Sequence, residues 1–217
     1  MSELLKKEFR LTASPLTYWF LAFSAMTMLP GYPLLVGGFM MCLGLFYTYQ
    51  FGREQNDIVY SVLLPVAKTD VVRAKFQFAV MIELTGFLLC ALLTLVRMTA
   101  LARADVYLQN AMMNANFVYL GWLLILFGLF NLVFLRGFFK TAYAFGKPFL
   151  LFGAIALVLI AAAETLHHLP GLEGLNTTGF SALGVQLGFL AGGALFYLVI
   201  TWFSERVSIK KMETLDL

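Results

Sequence analysis

Six apolar runs divide the chain, over residues 16–29, 34–51, 76–96, 117–135, 149–163 and 180–203, with polar stretches between them. A helix needs about 20 apolar residues to cross a bilayer core. The pattern therefore predicts an all-α integral membrane protein with six transmembrane helices. The first run is short for that task and is expected to borrow residues from the segment before it. Ser14-Pro15 supplies an N-cap and an N1 proline at its start. Pro30-Gly31-Tyr32-Pro33 then makes a tight turn, and Pro148 opens the fifth run.

The longest polar interruption is Gly52–Phe76, read GREQNDIVYSVLLPVAKTDVVRAKF. Ile58, Val59, Val62 and Leu63 fall at helical spacing and leave Glu54, Gln55, Asp57 and Ser61 largely on the other side. Pro65 stops this short helix. Thr69 and Asp70 offer cap chemistry for the next one. A short amphipathic helix, a break and a capped re-entry fit a docking element on the membrane face; a solvated connection is the plainer reading. Before the first run, Leu4, Leu5, Phe9 and Leu11 alternate with Lys6, Lys7, Glu8 and Arg10. That mixture suits an amphipathic helix on the cytoplasmic leaflet, with a frayed terminus as the alternative. A signal peptide is not expected there. The chain thus divides into an interfacial helix, 1–14, and one transmembrane domain, 15–217, that contains the polar 52–75 region.

Composition agrees with the pattern. Hydrophobic residues make up 61% of the 217 residues and charged residues 12%, with mean hydropathy +0.84. Soluble domains are nearer half apolar and a quarter charged. The length leaves no room for a soluble catalytic domain beside several spans. Cys42 and Cys90 both lie in apolar runs, so no disulfide framework is indicated. With six spans, thirteen of the fifteen Lys and Arg residues lie on the side of the termini and only Arg97 and Arg103 lie opposite. The positive-inside rule then places both termini and the 52–75 region in the cytoplasm, as for a multi-pass protein of the inner membrane.

Within the spans, Glu83 must pair, protonate or face water; it reads either as a pathway residue or as a carboxyl bonded inside the bundle. Asn131 and Gln186 read as hydrogen-bond links between helices. Gly184, Gly188, Gly192 and Gly193 are expected to pack closely against another helix. Glu164, His167 and His168 invite a metal site, but E-x-x-H-H is no zinc-hydrolase motif, and no metal is expected. The phosphate-loop pattern is absent from the sequence, so ATP hydrolysis by that chemistry is not expected of this chain.

The layout of interfacial helix, six spans and polar helix after the second span resembles the ABC-2 class of transporter permeases, above all the small bacterial ones. The specific part is FGREQNDIVYSVLLPVAKTDVVRAKF, with its R-E-x-x-D, L-L-P-V and K-x-D-x-V-x-A-K elements; LLKKEFRL is similar too. The resemblance implies that the helix in 52–75 is a coupling helix that docks on a separate ABC ATPase subunit, where ATP and Mg bind. It makes Glu54, Asp57, Ile58, Tyr60, Val62 and Leu63 candidate ATPase contacts. It implies a second permease chain, the same or related, and export from the cell; the 22 Phe and 10 Met fit an amphipathic or hydrophobic cargo such as a peptide, lipid or drug. The bilayer is a partner and nucleic acid is not. An ion-coupled secondary transporter, a membrane-embedded enzyme and a scaffold are the other classes; the first should show paired intramembrane charges and the second clustered His, Asp or Glu.

Overall fold

A computed structural model describes residues 3–63, 65–140 and 145–214, apart from the side chain of Val62. It is helical, and no strand occurs among the described residues. Helix α1 (Glu3–Lys7) runs into a π turn, Glu8–Thr12, and α2 (Pro15–Phe20) into a 3₁₀ stretch, Leu21–Met28. Then follow α3 (Leu35–Glu54), α4 (Asp57–Leu63), α5 (Lys68–Thr99) and the short α6 (Asp105–Leu108). Helix α7 (Phe117–Phe130) continues through a π turn, Asn131–Leu135, into α8 (Arg136–Phe139). Helix α9 (Gly146–Leu166), a 3₁₀ turn at Glu173–Asn176 and α10 (Leu183–Glu213) complete the order. Among the described residues, five helical rods are long and apolar enough to cross a membrane: α3, α5, the continuous Phe117–Phe139, α9 and α10.

The first apolar run differs from expectation. It borrows nothing from α1, because Ala13 and Ser14 are extended and Ser14 caps α2 through its Oγ, 3.3 Å from Leu16 N. Instead it stretches. Six α-helical residues at about 1.5 Å and eight 3₁₀ residues at about 2.0 Å reach roughly 25 Å, close to a bilayer core. The segment lies against α3, where a glycine lets it come close. Thr17 Oγ1 donates to Gly44 O at 2.7 Å, and a Cβ at Gly44 would stand 2.7 Å from Phe20 Cβ.

The rod Phe117–Phe139 is central and mostly buried. On one flank, Phe130 and Phe134 meet Phe46, Tyr49, Phe149 and Phe152 of α3 and α9 in a cluster of edge-to-face and tilted rings. On the other flank it meets α10 backbone to backbone. A Cβ at Gly193 would lie 2.5 Å from Gly121 O, whereas Gly184, Gly188 and Gly192 face open space. The expected glycine packing is thus real at Gly193 alone; the other three point away from the neighbouring rod. Gly193→Ala should cost about 1–3 kcal/mol by forcing α7 and α10 apart. Gly192→Ala, one residue away, should stay within about 0.5 kcal/mol. Thermal unfolding in detergent separates the two.

Two boundaries also shift. Helix α5 starts at Lys68 after an Ala67 cap residue, so Thr69 and Asp70 lie in its first turn and cap nothing. Helix α10 does not end near residue 203: Ser204, Ser208 and Met212 form a buried stripe that carries the helix on to Glu213. Its far end meets the start of α5, with Glu205 Oε1 3.9 Å from Arg73 Nε. The N-terminal helix, α4, the start of α5 and the end of α10 therefore occupy one end of the bundle.

Candidate functional site

At that end, α3 closes on Glu54, and Asn56 turns the chain with a positive φ of 53°. Asparagine tolerates this left-handed region better than most residues. Glu54 thus belongs to the C-terminal end of α3, bonded by Gln50 Nε2 at 3.1 Å, and not to the start of α4. The turn lays α4 with its polar side inward. Ser61 is buried, Asp57 is nearly so, and Ile58 beside them joins the hydrophobic core. Tyr60 is 66% exposed and Leu63 74% exposed. The amphipathic helix expected from the sequence is real, but part of its apolar side faces outward and its acid faces the protein.

What draws the polar side in is a ring of four charges. Lys75 Nζ donates to Glu8 Oε2 at 2.9 Å and to Asp57 Oδ2 at 2.6 Å. Lys7 Nζ lies 2.5 Å from Asp57 Oδ1 and 3.2 Å from Glu8 Oε1, and donates to Ser61 Oγ at 2.6 Å. Thr12 Oγ1 adds a bond to Asp57 Oδ1 at 3.2 Å. Each acid touches both lysines, so the ring is neutral and its charged atoms are multiply bonded. That is the condition under which burying charges is tolerable. Burial pushes the Asp57 carboxyl up, but the Lys75 charge and hydrogen bonds from both lysines outweigh it and hold it below its ordinary value.

The ring joins three elements distant in sequence: α1 with its π turn, α4, and the first turns of α5. It also adds to the expectation for the N-terminal helix. Leu5, Glu8 and Thr12 form its buried side, and Leu11 is exposed. The helix is docked on the protein through an acid, not merely laid on lipid through leucines. Of the six candidate contacts on or near α4, Tyr60, Leu63 and Glu54 are exposed, while Asp57 and Ile58 are engaged within the chain. The Val62 side chain lies outside the described residues.

A second polar cluster lies inside the bundle. Glu83 Oε2 accepts from Tyr197 OH at 2.6 Å and from Asn131 Nδ2 at 3.0 Å. Asn131 Nδ2 also donates to Thr201 Oγ1 at 3.0 Å. Glu83 and Asn131 are thus brought together, with α10 as the third partner. Gln186 is not with them. It sits at the opposite end of the bundle, where Oε1 accepts from Phe117 N and Nε2 donates to Thr177, Gly179 and Ser181. There it works with Asn116, which caps α7 and donates to Leu175 O and Thr177 O. Glu164 fixes the same region by accepting from Met113 N at 2.8 Å, and the His167 and His168 rings lie in contact, tilted to one another with centroids 4.1 Å apart. Gln186 does link elements, as expected of it, but by closing loops onto helix ends.

Among curated proteins and among solved structures, none matches this chain. The family model described as ABC-2 family transporter protein matches it over residues 3–213. That span takes in the docked N-terminal helix, the charge ring, all five long rods and the extended α10. The chain is a multi-pass membrane protein and belongs to the ABC-2 family as a transport permease, a class that works with a separate ABC ATPase subunit.

Proposed function

We propose that this chain is the membrane-spanning half of an ATP-driven exporter, with both termini and α4 in the cytoplasm and its ATPase docked on α4. The stretched segment from Pro15 to Met28 then makes the sixth crossing, beside the five long rods. The observation that carries this reading is the outward pair Tyr60 and Leu63 on a helix whose polar side is turned inward. On a water-facing end of the molecule, two large exposed apolar side chains one turn apart favour a protein partner. The exposed Glu54, at the end of α3, serves as a rim charge. The ring then gives the docked helix a rigid hold on the start of α5 and on the N-terminal helix. When ATP closes the ATPase pair, α4 is displaced, and the ring transmits that displacement to α5, the longest rod among the described residues. Two permease chains, identical or related, enclose the path, and the cargo is an amphipathic peptide, lipid or drug.

The test is reconstitution. The chain should co-purify with a phosphate-loop ATPase from its own genome neighbourhood, and the pair in proteoliposomes should move an amphipathic fluorescent probe only when ATP is supplied on the ATPase side. Transport driven by a proton or sodium gradient without the ATPase would replace this reading with a secondary transporter. Topology is checked separately. Gln109→Cys, in the outer loop, should label from outside intact cells, and Gln55→Cys should label only after permeabilisation. The native Cys42 and Cys90 are buried and should stay silent in both.

A further inference from the structure

The intramembrane cluster has one hydrogen too few. Glu83 and Asn131 are both fully buried, and two of their oxygens, Glu83 Oε1 and Asn131 Oδ1, have no hydrogen-bond partner. Buried acceptors without donors are rare in folded proteins and call for an explanation. In hydrocarbon there is no bulk water to supply the donor. A salt bridge does not supply it either, because among the described residues no Lys, Arg or His pairs with Glu83. The other titratable groups that feel Glu83 are Tyr197 of α10 and Cys42 and Tyr49 of α3, all neutral acids. The 3₁₀ stretch Leu21–Met28 packed on α5 contains no titratable residue.

One proton resolves both orphans. Placed on Oε1, it turns that atom from an acceptor into a donor. Asn131, already held through Nδ2 at 3.0 Å, carries the acceptor that lacks a partner. We propose that Glu83 is a proton-binding site: a neutral carboxylic acid that donates from Oε1–H to Asn131 Oδ1 while its carbonyl oxygen Oε2 accepts from Asn131 and Tyr197. The proton comes from hydronium in the bulk solution, leaves a water molecule behind and adds to a carboxylate; nothing else is consumed. The bound proton joins α5, the central rod and α10 at one point. It is held only while the cluster is dry, so a conformation that parts these rods and admits water to Oε1 releases it. Opening of this contact is thereby tied to proton release.

The test is isotope-edited infrared spectroscopy of the full chain in lipid nanodiscs at neutral pH, with carbon-13 glutamate. The wild type should show a label-sensitive carbonyl band of a protonated carboxylic acid. Glu83→Gln should abolish it. Tyr197→Phe should move it to higher frequency, because Oε2 loses one hydrogen bond while the acid remains; this variant carries the test even if the first folds poorly. No such band, or a band that neither variant touches, overturns the proposal. A second measurement addresses the native form. The amide that Glu83→Gln introduces reproduces the donor and acceptor pattern of the acid, so this variant should unfold within about 2 °C of wild type, with Glu83→Ala clearly lower. Equal losses in both variants would mean that the native group is a carboxylate, bound to a cation or otherwise, and would equally overturn it.

Discussion

Lys75→Met should lower the unfolding temperature far more than any surface change. Lys75 is almost fully buried and binds Glu8 and Asp57 at 2.9 and 2.6 Å. Methionine fills the space but removes the positive charge that both acids share. Lys7 alone then faces two carboxylates in a site largely closed to water. Breaking a buried ion pair from one side costs about 3–5 kcal/mol, because the surviving charge is stranded. Against a total stability of about 5–15 kcal/mol, this is a large fraction. Arg73→Met is the control. Arg73 pairs with Asp70 at 3.6 Å, but the two side chains are 52% and 54% exposed, so the change should cost under about 1 kcal/mol. Thermal unfolding in detergent, read by loss of the monodisperse peak, compares them. Adding Glu8→Leu to Lys75→Met removes the extra acid and leaves Lys7 with Asp57, so the pair should recover much of the loss. Equal behaviour of Lys75→Met and Arg73→Met would show that the ring contributes no more than a surface contact.

The ring also sets an acid limit. Asp57 is held below its ordinary value, so its contribution is complete above about pH 4 and is lost as pH falls through its folded value. Wild type should weaken below that pH more steeply than Asp57→Asn, which loses the contribution at every pH. A parallel acid profile of the two proteins would count against the ring.

Much of this was legible in the sequence, and what was not has one physical cause. Apolar runs identify rods because a bilayer demands length and hydropathy, and those are sums over many residues. The direction in which a short helix faces is not such a sum. Ile58, Tyr60 and Leu63 have the same spacing whichever side meets the protein. The decision rests with residues far along the chain: Lys75 closes on Asp57 from 18 positions away and on Glu8 from 67. No local pattern announces such a meeting. The charges of LLKKEFR fit a helix laid on the leaflet, and nothing in their spacing shows that Glu8 is one of the most buried residues of its segment. The same holds for the end of α10: the last apolar run stops at residue 203, yet among the charged Glu205, Arg206, Lys210 and Lys211 beyond it Ser204, Ser208 and Met212 make a buried stripe. Tyr197 escaped notice because an aromatic residue in a span is ordinary until a carboxyl is found opposite it.

Tyr60→Asp with Leu63→Asp should abolish docking of the ATPase and leave the bundle intact. Both side chains project from α4 and are mostly exposed, so neither change removes a large contact inside the chain. Buried anchors at protein interfaces typically lose about 2 kcal/mol or more when truncated. Two of them, replaced by carboxylates that must be dehydrated on docking, should weaken binding by about a thousandfold or more. The chain should still insert, unfold near the wild-type temperature and keep its charge ring. Ile58→Asp is the contrasting variant. Ile58 belongs to the hydrophobic core, so an acid there should unfold the α4 region whether or not a partner exists. A pull-down with the ATPase and a thermal melt, run on wild type and both variants, separate the two effects. The double variant should fail the first and pass the second, and Ile58→Asp should fail both. A double variant that still binds the ATPase and still drives ATP-dependent transport would remove the outward face of α4 from the coupling path.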